Sequence, residues 1–385
     1  MSNNVNRYDE WLADDSHFAA LVMRQWLVPV EGADAVTFPP TYAMPENIMP
    51  EERQRWIGYN IDRLDDGTKV CQMDSVGSQA NRMEPIFKRA DYAHLVPQVT
   101  IQAGSRPVNL LDAGHRAADA IARFSSLQAQ FDAAFRAYQN NGNAEPLAKI
   151  TPTSIVFGSW DSRSTQAKLP RVVRSVIRAY RVEPLHRSAQ YIPAIDYVAD
   201  EILNAPQGKQ QQDAMSELGL SHAPAAWSHG GVICRGEIRR EAALNLVAVR
   251  ALNVAAGEGE DQQEVNTRRL NLRRYILGLA LVCFTAPPES FLREGCQLVP
   301  DPDKQAEWKL VQHDGTRTDH SISHQQVLEL ASAAAEAFDV GEDRSGTFEG
   351  AAARAALGQT GDERRAARRR GRSAAAAQEP EVTKQ

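Results

Sequence analysis

Apolar residues along the chain recur with a spacing that shifts between about 3.6 and about 2, and the shifts mark candidate elements. The pattern from Arg7 to Leu27 predicts an amphipathic helix, followed by an extended stretch through "VTFPPTYAMP" and a strand near "TKVCQMDSV". "LVPQVTI" predicts a second strand ahead of a helix from about Gly114 to Tyr138, with Asp112 as its cap. "SIVFGSW" predicts another strand, leading through a polar turn to a helix that starts near Pro170, a residue suited to the first helical position. "GGVICRG" reads as a strand feeding a mostly apolar helix through "REAALNLVAVRALNV". "YILGLALVCF" fits strand or helix, "CQLVP" and "EWKLVQHDG" fit late strands, and "HQQVLELASAAAEAF" fits a closing helix. Strands alternate with helices at uneven intervals and with long insertions, which predicts an α+β sheet with elaborations rather than a regular doubly wound sheet. Beyond Gly341 the sequence turns Ala-, Arg- and Gly-rich with little to bury, so 341–385 is expected to be a disordered tail.

The segment Ser159–Arg181 holds Arg163, Lys168, Arg171, Arg174, Arg178 and Arg181 against the single acid Asp161. On a helix, Arg171, Arg174, Arg178 and Arg181 would fall within an arc of about 80°. Val172, Val173, Val176, Ile177 and Tyr180 would take the opposite side. A solvated helix face usually mixes charge signs, and none of the residues from Pro170 to Arg181 is acidic. Four mutually repelling guanidinium groups suit an external polyanion, because arginine's forked donors match phosphate.

The helix expected after Gly114 repeats the design. Ala117, Ile121, Phe124, Phe131, Phe135 and Tyr138 form an apolar stripe, and His115, Arg116, Asp119 and Arg123 cluster on the far side. In "GGVICRGEIRREAALNL", Arg235, Arg239 and Arg240 stand at the start of an expected helix. They fit either local pairing with Glu237 and Glu241 or an anion site at the helix terminus.

Overall charge changes this picture only locally. The chain of 385 residues has a formal net charge of −6, yet a groove can be basic in an acidic protein, since phosphate binding depends on local charge. The longest strongly apolar run is about half of what a membrane-spanning helix needs. "MSNNVNRYDEWLADDSH" lacks the pattern of a secretory signal, so a cytoplasmic location is expected. Cys71, Cys234, Cys283 and Cys296 stand far apart, which argues against a zinc site or a disulfide framework and for reduced thiols. No phosphate-cradling glycine loop, H-E-x-x-H or G-x-S-x-G pattern is present, and His186 and His229 are lone histidines. We therefore expect no catalytic residues, no metal, no cofactor and no enzymatic activity.

Taken in order, "GSQANRMEP", "LLDAGHRAADAIARFSS", "NAEPLAKITPTSIVFGSWDSRSTQAKLPRVVRSVIRAY", "RSAQYIPA", "GGVICRGEIRREAALNLVAVR" and "RRYILGLALVCFT" resemble the backbone RAMP subunit of type I-G (formerly I-U) CRISPR-Cas effector complexes, which are Cascade-like. The similarity runs from about Gln72 to Asp314. It implies an RRM-like (ferredoxin-like) core with inserted thumb and helical subdomains, all within residues 1–340. It also implies a subunit that polymerises with other copies of itself along a crRNA and presents the guide for pairing with target DNA. The implied partners are a large subunit, a foot or repeat-processing subunit and a recruited helicase-nuclease, in antiviral defence. On that reading the RNA-binding candidates are Arg82, His115, Arg116, Arg123, Arg163, Lys168, Arg171, Arg174 and Arg178, then Arg235, Arg239 and Arg240. Related type III backbone subunits cut target RNA with a loop aspartate, so Asp161 and Asp74 are the acids that a rival, ribonuclease reading would use.

Overall fold

The segment expected as one helix from Arg7 to Leu27 instead forms a helical turn at Asp9–Leu12 and then strand β1, Phe18–Pro29. Leu21, Met23 and Leu27 are buried while Val22, Arg24 and Trp26 between them are less so, which is the period of a strand with one face in the core. The computed structural model describes residues 5–358 apart from Pro45, Ile48, Pro50 and 52–55.

Four more strands complete the central sheet: β2 (Lys69–Asp74), β3 (Val173–Tyr180), β4 (Ile238–Asn245) and β5 (Glu307–Gln312). Their order is β5-β1-β4-β3-β2, antiparallel throughout. Arg317–Asp319 extends the edge beyond β5, and Ile61–Arg63 extends the edge beyond β2. Cys296–Pro300 pairs with the last residues of β1, on the edge that β5 also uses. Mixed helices and an antiparallel sheet make the fold α+β, as expected.

Among the described residues, helices cover one face of the sheet. Helix α1 (Val76–Met83), capped by the Ser75 hydroxyl, packs on β3. Helix α2 (Gln262–Thr285) opens with a reciprocal capping box between Asp261 and Glu264. Its second half is buried on all sides, which settles "YILGLALVCF" as helix. Helix α3 (His324–Phe338) packs along α2, as "HQQVLELASAAAEAF" predicts. Leu21, Met23, Val173, Ala242, Leu244 and Leu310 point from the sheet into this helical core. Cys71, Met73, Ile177, Ala179 and Ile238 form a second cluster on the same face.

Several helical expectations fail, the clearest of them for a reason visible in its residues. Val172, Val173, Val176 and Ile177 are β-branched, and such residues favour strands; the stretch expected as a helix from Pro170 becomes β3. "REAALNL" likewise lies mainly in β4, with only Leu246–Arg250 helical. Conversely, the first three residues of "SIVFGSW" are helical, at the end of Pro152–Val156, and only its last two form a strand, Ser159–Trp160. The helix expected from Gly114 to Tyr138 breaks into Arg116–Ala118, Ala120–Arg123 and Gln128–Asn141, because Asp119 bonds the Ile121 amide and starts a new turn. Asp112 pairs with Lys88 rather than capping this helix.

Between β3 and β4 the chain runs out and back along an antiparallel arm, Val182–Tyr191 with Ala223–Cys234. The expected tail does not begin at Gly341: Arg344–Thr347 pairs parallel with Val99–Ala103, and Gly350–Gly358 is helical. The Arg-rich remainder of that tail lies outside the described residues.

Candidate nucleic-acid interface

The strand register decides where each arginine goes. Across the sheet, Val22, Ala243 and Arg174 form one row, Arg24, Glu241 and Val176 the next, and Trp26, Arg239 and Arg178 a third. All these side chains leave the face opposite the helices, since adjacent strand residues alternate sides. On β5, Lys309 is level with Val22 and Glu307 with Arg24.

These rows border an open groove of about 510 Å³. Its charged lining is Arg24, Arg174, Arg178, Lys309 and Arg317 against Glu241 and Glu307, a formal surplus of three positive charges (five minus two). Glu241 lies near three guanidinium groups, 3.7 Å from Arg24, 3.5 Å from Arg178 and 3.8 Å from Arg239, and it accepts a 3.3 Å hydrogen bond from Tyr180. Arg239 also lies 4.0 Å above the Tyr180 ring. One carboxylate thus holds three arginines in place without neutralising them. Arg174 and Arg317 are exposed and make no ion pair among the described residues.

Arg174 and Arg178 were expected to share a face, and they do: a separation of four is even, so a strand aligns them as a helix would. Arg171 and Arg181 leave that row. Arg171 is exposed before β3, with its stem against Gly158, and Arg181 occupies the tight link to the arm at φ 55°. Sequence reasoning missed Arg24, Lys309 and Arg317. The signal for Arg24 was its place among alternating apolar residues, obscured when that segment was read as a helix.

Other candidates are inside the protein. Arg116, also at positive φ, is buried; it forms an ion pair at 2.7 Å with the buried Glu84 and stands 5.1 Å from the Phe157 ring. Burial pushes the Glu84 carboxyl up to about 7, against the pull of Arg116. Arg82 bonds Asp74 at 3.1 Å and the carbonyl of Leu292. Arg240 projects to the helix side of β4, where it donates to Ser175 Oγ at 3.1 Å and approaches Met83 Sδ at 3.6 Å. Burial lowers its pKa to about 10. Arg235 sits at the end of the arm, paired with Glu183 at 3.2 Å, rather than at a helix terminus. His115 is exposed, and Arg123 stacks 4.8 Å from Phe124. Arg163 and Lys168 belong to a separate hairpin.

The two acids of the ribonuclease reading are both turned inward. Asp74 is fully buried, holding Arg82, Arg293 and the Gln79 amide. Asp161 is buried and accepts from the Ser164 and Thr165 amides and the Thr165 hydroxyl. Among the described residues no group of three or more His, Cys, Asp or Glu is placed to hold a metal ion, and no helix is long and apolar enough to cross a membrane. Cys71, Cys283 and Cys296 are buried free thiols and Cys234 is a half-buried one.

Residues 21–184 match the family model described as CRISPR-associated protein GSU0053 (Cas_GSU0053). The matched segment covers less than half of the chain, from β1 through β3 to the root of the arm. No curated protein matches the chain. The family match supports a CRISPR-Cas role.

Proposed function

We propose that this protein is the crRNA-binding backbone subunit of a type I-G CRISPR interference complex, with its guide lying against the open face of the sheet. The observation that carries the reading is the row of cations bordering the groove, of which Arg24, Arg174 and Arg178 lie within the CRISPR-associated match. The chain order also supports it. β1, the helical region containing α1, β3, β4, α2 and β5 follow the β-α-β-β-α-β sequence of an RRM-like core, with β1 and β4 central.

A subunit repeated along guides of differing sequence must bind without reading bases. Contacts to phosphate and 2′-hydroxyl groups meet that need, and base pairing then supplies the discrimination. Arginines held by Glu241 are pre-oriented for phosphate, so little side-chain freedom is lost on binding. The arm between β3 and β4 has the projecting form that a thumb requires, and other copies of the chain are its expected neighbours. Cutting of nucleic acid falls to a recruited helicase-nuclease on this reading, because Asp74 and Asp161 are engaged within the fold.

Affinity for single-stranded RNA measured against salt tests the proposal. Replacing Arg24, Arg174 and Arg178 together by alanine should make the log–log slope shallower by roughly 2, at about 0.7 per phosphate contact, equally for unrelated sequences. An unchanged slope would refute the assignment of the groove.

A further inference from the structure

A second cationic feature lies outside the groove. Ser159–Trp160 and Lys168–Leu169 form a short hairpin, with Trp160 directly opposite Lys168. Trp160 is 60% exposed, and the Lys168 ammonium sits 5.6 Å from its ring centroid. Large aromatic side chains normally bury most of their area, so a tryptophan displayed at this level asks for a covering partner.

The hairpin is built to hold that ring still. Inside its loop, Asp161 takes the amides of Ser164 and Thr165 at 3.1 and 2.6 Å, and Gln166 N–H donates to the Asp161 carbonyl at 2.8 Å. Ser164 is tied in turn to Asp132 on the neighbouring helix at 3.0 Å. Ala167 and Leu169 anchor the returning strand in the core. At its base Gly158 adopts φ 74°, and a Cβ there would come within 2.7 Å of the Arg171 stem, so glycine is required for the chain to turn.

The charge around the ring selects the partner. Arg163, Lys168 and Arg171 are exposed and make no ion pair among the described residues, whereas the loop's one carboxylate, Asp161, is buried and fully engaged. A flat aromatic surface with an unpaired ammonium over it, on a hairpin flanked by two further unpaired arginines, suits an aromatic ligand that carries negative charge. A nucleotide is that ligand.

We propose that Trp160 is a stacking platform for one unpaired RNA base, with Lys168, Arg163 and Arg171 receiving the adjoining phosphates. The proposal rests on the RNA-binding reading and adds to it a base contact indifferent to sequence, since every base has a stacking face. Arg174 lies six positions after Lys168, at most about 22 Å of extended chain, so one strand of RNA can reach both hairpin and groove.

The test uses the full chain, a single-stranded RNA and an abasic oligonucleotide of equal length. Trp160→Ala should weaken binding of the RNA about 5- to 150-fold and leave the abasic oligomer unaffected, while Trp160→Phe should retain most of the affinity. The melting temperature should not move, because the ring is largely outside the core. Equal losses on both oligomers, or no loss on either, would overturn the platform. So would unchanged RNA affinity with loss of self-association, which would make the hairpin a contact between copies. If the groove variant binds normally while Trp160→Ala loses only base-bearing RNA, the platform stands and the groove assignment fails; the converse result separates them the other way. Absence of RNA binding by the wild type would end both.

Discussion

Arg239 and Arg240 are consecutive on β4 and have opposite environments. Arg239 lies on the open face, against the Tyr180 ring and between Glu237 and Glu241. Arg240 is buried on the helix side, with a hydroxyl and a thioether as its partners. The same contrast holds for the two faces of the sheet as a whole. On the open face Arg24, Arg178 and Arg239 lie beside the half-exposed Glu241, and Arg174 and Arg317 make no ion pair among the described residues, so these cations remain available, whereas Arg82 and Arg116 under the helices are committed to buried acids. Arginine content alone therefore says little about a nucleic-acid surface; the parity of the residue along its strand decides.

The contrast is broken most severely at Arg116. Truncating one partner of a buried pair leaves the other charge without compensation, so Arg116→Ala should cost about 3–5 kcal/mol at pH 8 in denaturant unfolding. A cost below about 1 kcal/mol would place this arginine with the surface set.

Acidity probes the same pair more gently. The folded Glu84 carboxyl is raised to about 7 by burial, above its ordinary value of 4.5, so the native state holds this proton more firmly than the unfolded chain does. Its contribution is fully present below about pH 4.5 and is lost as pH rises through 7, a change on the order of 3 kcal/mol. Glu84→Gln should flatten the stability profile across that window. A wild-type profile already flat there would mean that Arg116 keeps the carboxylate ionised throughout.

Sequence reasoning found the arginines but not the element that carries them. A spacing of four aligns Arg174 with Arg178 in either a helix or a strand, so their shared face survived the wrong element, whereas Arg171, which precedes the strand, leaves their row. The β-branched run Val172, Val173, Val176 and Ile177 was the available warning. The late strands and α3 were legible because their patterns were short and sharply bounded or long and strictly periodic. The fates of Arg82, Arg116 and Arg240 were hidden, since their partners Asp74, Glu84 and Ser175 are brought close only by the tertiary fold. Lys309 and Arg317 were hidden for the same reason: they belong to the groove only because β5 returns to the free edge of β1.

The smallest effect gives the finest comparison, that between the two neighbours on β4. Arg240 has no acid within ion-pair distance among the described residues, yet it pays the full desolvation cost of a buried guanidinium, which lowers its pKa to about 10. Methionine has a similar stem and would lie beside Met83 with no charge to solvate. Replacing buried charge by a well-packed apolar group is often neutral or stabilising, so Arg240→Met should raise stability by about 1 kcal/mol and leave the RNA salt slope unchanged. Arg239→Met should do the reverse. Its loss from the open face should remove about 0.7 from the salt slope, while stability shifts by less than about 1 kcal/mol because its neighbours Glu237 and Glu241 stay hydrated. Unfolding and salt titration of the two variants side by side give four values. Should Arg240→Met lower the melting temperature by several degrees, its bond to Ser175 outweighs the cost of burying it. Should both variants change the salt slope alike, strand parity does not sort these arginines into ligand-facing and structural sets.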